Sequence, residues 1–420
     1  MHMKIKILAI VSVFVSSSVF AGGYRVALQG QSATGMGHTG VSASENSETV
    51  FFNPAGMSFL EKKFDVTTGV TLIDGVTKYQ NAGSNASAET DNPIGTPLSV
   101  YVAQKYGQDL SYGLGFYTPF GNSVEWQSDW PGSHLVNNIS LTTMFFQPTI
   151  SYKYKDIISF GVGPSFVSGS VTFNRNLSTA LVDENGDRAN VTIKASNITA
   201  WGYNVGLLIK PIKAVSFGAS YRSQVDLKAR GESANFENIP SSLSTVYADT
   251  TFDADLVLPA ELTVGVSFNV ANTVVAIDVN RTFWSAYENL DIMFNSGIDP
   301  SLNPRQYRDV NIYRFGLQHK LLNNLTLRAG AYYDESPISD GYYTPETARN
   351  DSIGITAGAS YQLTKRLGFD LSFLYLMFDE FNGSYDYIGH DDDAATNDTA
   401  FGGDYLSSVA TIGFGLNYKY

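Results

Sequence analysis

The connections of this chain are sorted by length, and that sorting narrows the possible folds more than any single motif. From Phe64 to the C-terminus the sequence divides into fourteen stretches in which apolar residues alternate with small or polar ones, the period of a β-strand with two unlike faces. Tight links such as Gly107-Gln108-Asp109, Lys155-Asp156, Ala271-Asn272 and Leu322-Asn323 alternate strictly with long ones, around residues 75–97, 120–137, 175–195, 231–250, 285–306, 335–351 and 380–404. In an antiparallel sheet this places every tight turn at one end and every long loop at the other. A soluble sandwich has no reason to sort its loops so, whereas an even strand count with that sorting is the pattern of a bacterial outer-membrane barrel. We therefore expect an all-β fold, a 14-stranded antiparallel transmembrane β-barrel. Lipid also requires closure, because an open edge would leave unpaired N–H and C=O groups in hydrocarbon.

Composition agrees. Charged residues make up 16% of the chain, against about a quarter in soluble proteins, while 25 Tyr, 26 Phe and 38 Gly are present. The longest apolar run, Ile7 to Phe20, falls short of the roughly 20 residues a spanning helix needs. The absence of cysteine excludes a disulfide scaffold, a thiolate metal site and a cysteine nucleophile. A net charge of −13 would repel nucleic acid. Much of the acid, including Asp183, Glu184, Asp187 and Asp391-Asp392-Asp393, falls in the long loops.

Lys4 and Lys6 precede the apolar run, and small residues follow it up to Ala21. This is a secretory signal over residues 1–21. The next segment, residues 22–62, runs through Gly35-Met36-Gly37-His38-Thr39-Gly40 to Phe51-Phe52-Asn53-Pro54-Ala55. Its glycines and small residues suit tight packing in a confined space, so we expect an N-terminal hatch, or plug, inside the lumen of a barrel spanning residues 63–420. At the other end Phe414, Leu416, Tyr418 and Tyr420 alternate up to a terminal aromatic residue, which resembles the segment by which outer-membrane barrels are recognised by the barrel-assembly machinery.

Assigning the apolar register to lipid puts the other in the lumen. In the seventh strand this predicts Ser216, Gly218, Ser220, Arg222, Gln224, Asp226 and Lys228 inside, with Phe217, Tyr221, Val225 and Leu227 outside. Glu261, Asp278, Arg314, Arg328 and Asp370 should also face inward. Mutual pairing is the simplest role for such residues; the sharper one is that Arg222, Arg314 or Arg328 contacts an anionic head group.

The sequence resembles the FadL family of outer-membrane transporters of long-chain fatty acids and other hydrophobic compounds. The likeness lies in Gly35-Met36-Gly37, Phe52-Asn53-Pro54-Ala55-Gly56, Trp201-Gly202-Tyr203-Asn204, Tyr221-Arg222-Ser223-Gln224, Leu258-Pro259-Ala260-Glu261, Tyr313-Arg314-Phe315-Gly316 and Asp334-Glu335-Ser336-Pro337. It implies passive uptake of hydrophobic molecules at the outer membrane of a Gram-negative bacterium, with fatty acids or hydrocarbons as cargo. It implies no enzyme, no cofactor and no metal. By position, Tyr24 would occupy an internal pocket and Phe51, Phe52, Asn53, Pro54 and Ala55 would form the hatch beside a lateral opening. A kink in the third strand would make that opening, and Gly113 and Gly115 supply the permissive backbone for it. Outer-membrane lipid and lipopolysaccharide would surround a monomer.

Other motifs carry less. Gly35, Gly37 and Gly40 match a dinucleotide fingerprint, but no strand precedes them and no suitable helix and acid follow. Asp183, Asn185 and Asp187 resemble a calcium loop whose glycine is misplaced and whose closing Glu is missing. His390 with Asp391, Asp392 and Asp393 could hold a divalent ion. A hydrocarbon transporter of the same family and a general porin for hydrophilic solutes are the rival functions, and a porin needs no hatch.

Overall fold

The structure, a computed structural model, describes residues 23–43, 45–127, 129–178, 181–347, 349–387 and 400–420. The expected signal segment and the His390–Asp393 group lie outside the described residues. Fourteen strands form one closed antiparallel barrel: β1 (Phe64–Gln80), β2 (Leu98–Tyr106), β3 (Leu110–Tyr117, resumed as Gly121–Glu125), β4 (Asn138–Tyr154), β5 (Ile158–Asn176), β6 (Asn190–Ile212), β7 (Val215–Arg222, resumed as Val225–Glu237), β8 (Thr250–Leu258, resumed as Glu261–Val270), β9 (Thr273–Thr282), β10 (Val310–Leu322), β11 (Leu325–Asp334), β12 (Ser352–Gln362), β13 (Leu367–Phe378, resumed as Phe381–Tyr385) and β14 (Phe401–Lys419). Each pairs with its neighbour in sequence, and β14 closes onto β1 from Asp65↔Lys419 to Gln80↔Asp404. The tight turns share one end of the barrel and the long loops the other, as expected.

β5 shows how the wall is built. Its even positions point out and its odd positions in. At the tight-turn end the outward residues are Phe160, Val162, Pro164 and Phe166, with Ser159, Gly161, Gly163 and Ser165 inside; further on, Ser168, Ser170 and Thr172 face out while Val167, Gly169, Val171 and Phe173 face in. The in–out alternation of β5 is unbroken, but the chemistry of both faces swaps. The swap marks where lipid ends: below it the outer face must be apolar, and above it the outer face meets water. The strands therefore run on into the loops, β1 to Gln80 rather than Asp74 and β7 to Glu237 rather than Arg230.

This swap corrects the inward assignment of β7. Arg222 is buried and Phe217 exposed, as predicted, but Val225 and Leu227 are buried while Gln224, Asp226 and Lys228 are exposed. The strand breaks at Ser223-Gln224, opposite Pro259-Ala260 of β8, between the ladder pairs Arg222↔Glu261 and Val225↔Leu258. Pro259 has no N–H to give the ladder, and the three-residue step from Arg222 to Val225 inverts which side of each residue faces in.

Residues 23–59 contain two short helices, α1 (Gln31–Gly35) and α2 (Thr49–Phe52), and a 3₁₀ turn over Pro54–Phe59. Almost every side chain in this leader is buried, and its partners lie on the inward register of the strands. Gln31 bonds to Thr71 of β1, Gly37 to Thr356 of β12, and Gly40 and Val41 to Asp278 of β9. Glycines make the approach possible. A Cβ at Gly161 would lie 2.3 Å from the Pro54 carbonyl carbon, and one at Gly330 2.2 Å from the Gly37 nitrogen. Gly37 itself has φ +68°, open to glycine without strain. The apparent dinucleotide fingerprint is thus occupied in close packing against the wall.

Candidate functional site

Above the chemical swap, the inward apolar residues of β4 to β8 converge on a cavity of about 90 Å³. Leu141 of β4, Val171 and Phe173 of β5, Ile193 and Ile198 of β6, Leu227 of β7 and Phe252 and Leu256 of β8 form its wall. Tyr287, Leu290, Asn303, Arg305 and Tyr307 from one long loop and Glu346 and Thr347 from the next complete it. The lining is overwhelmingly apolar, with its charged groups gathered among the loop residues and at Arg175 near the end of β5.

Tyr24 supplies another side. Its ring packs edge-on against Trp284 and Tyr287, with centroids 4.9 and 5.4 Å away, and its hydroxyl donates to the Val257 carbonyl oxygen. Trp284 lies against Gly23 closely enough that a Cβ there would fall 2.7 Å from the ring. The structure therefore brings Tyr24 to the pocket.

Beneath it is a second, polar chamber lined by Arg25, His38, Phe51, Phe52, Arg222, Glu261 and Arg314. Arg222 donates to the Tyr117 hydroxyl at 2.7 Å and the Phe51 carbonyl at 3.1 Å, lies 3.6 Å from Glu261, and stacks over the Phe51 ring at 4.2 Å. Arg25 pairs with Asp334 at 3.1 Å and lies 3.7 Å from Glu261. Arg314 sits opposite Asp278 in the β9–β10 ladder. Arg328 is elsewhere, held by Gln318 at 2.6 Å and Glu45 at 3.9 Å. Of the three arginines singled out by sequence, two share the polar chamber, one braces the wall, and none lines the apolar pocket.

The charged groups that do reach that pocket were missed. Arg305 pairs with Glu346 at 2.9 Å and its guanidinium lies 5.7 Å from the centroid of the Tyr385 ring. Burial alone would lower its pKa, but the Glu346 carboxylate and the surrounding tyrosines raise it. Arg175 donates to Ser301 at 3.0 Å. Both lie where the sequence reads as loop or loop border, so alternation carries no signal for them.

The third strand is interrupted, though not at its glycines. Gly113 and Gly115 sit in unbroken ladder between Ala103 and Thr149 and between Tyr101 and Gln147. Their role is clearance: a Cβ at Gly113 would meet Met57 Sδ at 2.6 Å, and one at Gly115 would meet Val50 at 3.1 Å. The break falls at Thr118-Pro119-Phe120, where pairing with β4 slips by one residue between Tyr117↔Phe145 and Gly121↔Thr142. The leader fills that edge: Val26 N–H donates to the Pro119 carbonyl at 2.8 Å and Gly121 N–H to the Tyr24 carbonyl at 2.9 Å. The Asn53–Ala55 turn lies elsewhere, against β4 to β6. Asn53 donates to the Leu207 carbonyl at 3.0 Å, and the Ala55 carbonyl accepts from Ser151 at 3.1 Å and Ser159 at 2.6 Å. Met57, in the same 3₁₀ turn, packs against β3 at Gly113.

The comparisons with known proteins agree with this architecture. The sequence model described as outer membrane protein transport protein (OMPP1/FadL/TodX) matches residues 12–420. Outer membrane protein P1 of Haemophilus influenzae is 23% identical over 99% of this chain and 98% of its own length. The long-chain fatty acid transport protein of Escherichia coli K12 is 20% identical over 88% and 91%. Among solved structures, a Pseudomonas aeruginosa FadL homologue superposes with a TM-score of 0.80 at 18% identity, covering 95% of this chain and all of that one. The Pseudomonas putida toluene transporter TodX gives 0.70 at 18% identity, covering 93% and 98%. A closed 14-stranded barrel with an apolar belt, matched by this model over nearly its whole length, belongs to the OMPP1/FadL/TodX family of outer-membrane transport proteins.

Proposed function

We propose that this protein takes up hydrophobic molecules with an anionic end, such as long-chain fatty acids, passively across the outer membrane. The observation that carries this reading is the apolar pocket with Arg175 and Arg305 among its loop-side residues and a leader residue, Tyr24, on another side. Burying about 15 methylenes at ~0.8 kcal/mol each would release up to about 12 kcal/mol, enough for nanomolar retention. Release from such a site needs a moving part. The cavity of about 90 Å³ holds only several water-sized groups, so a long chain enters fully only if a lining residue withdraws. Tyr24 is the residue whose chain can leave.

In this reading residues 1–21 are a signal peptide, residues 22–62 a hatch inside the lumen, and residues 63–420 the barrel. The leader's bonds to β1, β9 and β12 support that placement. The break in β3 at Pro119, covered by Val26, is the wall element next to the leader that can open toward lipid. β14 is the segment met by the assembly machinery, and the closed sheet leaves no edge to pair with a second copy, which favours a monomer among lipid and lipopolysaccharide.

A second reading, hydrocarbon transport, is favoured by the Arg305–Glu346 pair, which cancels charge where an acid head would sit. A porin for hydrophilic solutes is disfavoured by the buried leader. The test fixes the leader. Arg25 and Phe120 are bridge partners, close enough in an antiparallel ladder for a disulfide, and the chain has no other cysteine. R25C/F120C should take up a fluorescent dodecanoate when reduced and lose that uptake when oxidised. Equal uptake in both states would refute a moving hatch.

A further inference from the structure

Below, β6 and β7 pair from Ile209↔Phe217 to Asn204↔Arg222; above, they pair again from Lys194↔Ser233 to Asn190↔Glu237. Between these ladders residues 195–203 of β6 and 223–232 of β7 have no paired partners across the gap. Only its ends are tied. Ser223 N–H donates to the Tyr203 carbonyl at 2.9 Å, and Ser196 N–H reaches the Glu232 carboxylate at 3.3 Å. The cause is local. Beyond its break at Ser223-Gln224, β7 pairs with β8 from Val225↔Leu258 to Ala229↔Ala254. On the other lip β6 carries a register shift against β5 around Ser196-Asn197, with Asn197 at φ +56°. Bulges bend the strand that carries them. The two strands splay.

The slot begins at the level of Trp201, which is 68% exposed and marks the outer edge of the lipid-facing belt. Its outer rim is polar, with Thr199, Asp226 and Lys228 exposed, while Ile198 of β6 and Leu227 and Ala229 of β7 line the apolar pocket behind it. Two side chains lie behind the opening: Val225 at its lower end, where a Cβ on Gly202 would fall 2.7 Å from Val225 Cγ2, and Leu227 above it. Leu227 reaches past β6 to β5, so close that a Cβ on Gly169 would lie 2.7 Å from its Cδ1. Leucine has alternative staggered rotamers, and a change at Leu227 would join the upper part of the slot to the pocket, which Leu227 lines and Val225 does not, without breaking a backbone hydrogen bond.

We propose that the β6–β7 slot is a lateral entry portal, gated by Leu227, through which an apolar chain passes from the outer leaflet boundary into the pocket. The portal rests on the reading of the pocket as a cargo site, and it is separate from the β3 interruption on the other side of β4 and β5.

The test bridges the lips. T199C/D226C is linked by a short bis-maleimide, and K228C/D255C, ladder partners on the unbroken β7–β8 side, is linked likewise as control. Stopped-flow binding of a fluorescent dodecanoate to the purified protein is read alongside uptake by cells. Bridging the slot should slow association about tenfold or more while equilibrium affinity stays within about twofold, a change confined to rates; the control bridge should change neither. L227A should speed association. Unchanged association in both the bridged slot and L227A overturns the portal. Normal binding without uptake by the unbridged protein would sink the transport reading while the association rates still judge the portal. Absence of any binding overturns both.

Discussion

The N–H of Val26 donates to the carbonyl oxygen of Pro119 at 2.8 Å, so the leader forms an isolated antiparallel bridge, Arg25↔Phe120, at the edge exposed where β3 breaks. One main-chain segment thus covers the wall interruption and carries Tyr24 into the pocket. A device that empties the pocket by moving Tyr24 also uncovers the wall.

Removing that bond should separate the two functions of the segment. Val26→Pro deletes the N–H and should weaken docking of residues 24–26 by about 1 kcal/mol, leaving the barrel intact. Hydrogen exchange at residues 23–28 should rise while β9 to β12 stay protected. Unaltered protection of the leader would show that it is held by its side chains alone.

Docking of the leader should also depend on pH through Glu48. Its carboxylate accepts the N–H groups of Ser32 and Ala33 at 3.2 and 3.1 Å. Burial, together with Asp370 and against those two bonds and Arg328, pushes its pKa up to about 7. A raised carboxyl pKa means that the native state favours the neutral acid. The stabilisation is complete below the ordinary value near 4.5 and is lost as pH rises through about 7, on the order of 3 kcal/mol across that window. Thermal or denaturant stability of the leader should therefore fall from pH 5 to pH 8, and Glu48→Gln should flatten the profile. A flat profile in the unsubstituted protein would contradict this.

Gly161→Ala tests how the Asn53–Ala55 turn is seated. The added Cβ would meet backbone atoms of Pro54 and Ala55 at 2.3 and 2.4 Å, which no rotamer relieves, and such overpacking costs about 1–3 kcal/mol. β5 should keep its pairing and the turn should be displaced. Planar-bilayer conductance to small ions should then rise above that of the unsubstituted protein. No increase would mean that the turn does not help close the lumen.

Much of the barrel could be read from the sequence, and the reason is physical. Lipid imposes one rule on every outward residue it touches, so Phe160, Val162, Phe369 and Phe414 announce their side, and the tight turns announce the closed end. Above the lipid that rule lapses. Ser168 and Ser170 then point out and Val171 and Phe173 in, an inversion that a lipid-based assignment turns inside out, as it did for Leu227. The polar chamber was partly legible because Arg222 and Arg314 lie below the inversion. The apolar pocket was not, because it is assembled above it from strand ends and from loop residues such as Arg305 and Tyr307. Gly113 and Gly115 make room for Met57 and Val50 within an unbroken ladder, and the strand breaks beyond them, around Pro119, four residues after Gly115.

The cargo class should be decided by charge at the pocket rather than in the chamber beneath it. Arg328→Ala removes a guanidinium bound to Gln318 and near Glu45, so it should lower barrel stability and leave ligand affinity unchanged. Arg175→Gln removes a charge whose protein partner is the neutral Ser301 hydroxyl, leaving no buried acid stranded. If the cargo carries a carboxylate, a hydrogen bond between charged groups worth about 1.5–3 kcal/mol disappears, and dodecanoate affinity should fall roughly ten- to a hundredfold while that of an uncharged alkane or toluene is retained. Arg305→Gln is the less clean change, since it leaves Glu346 buried without its cation and should destabilise the loops as well. Competition binding with both ligand types on Arg175→Gln separates the two cargo readings: selective loss of the acid supports fatty-acid transport, and equal affinity for acid and hydrocarbon before and after the change supports a hydrocarbon carrier.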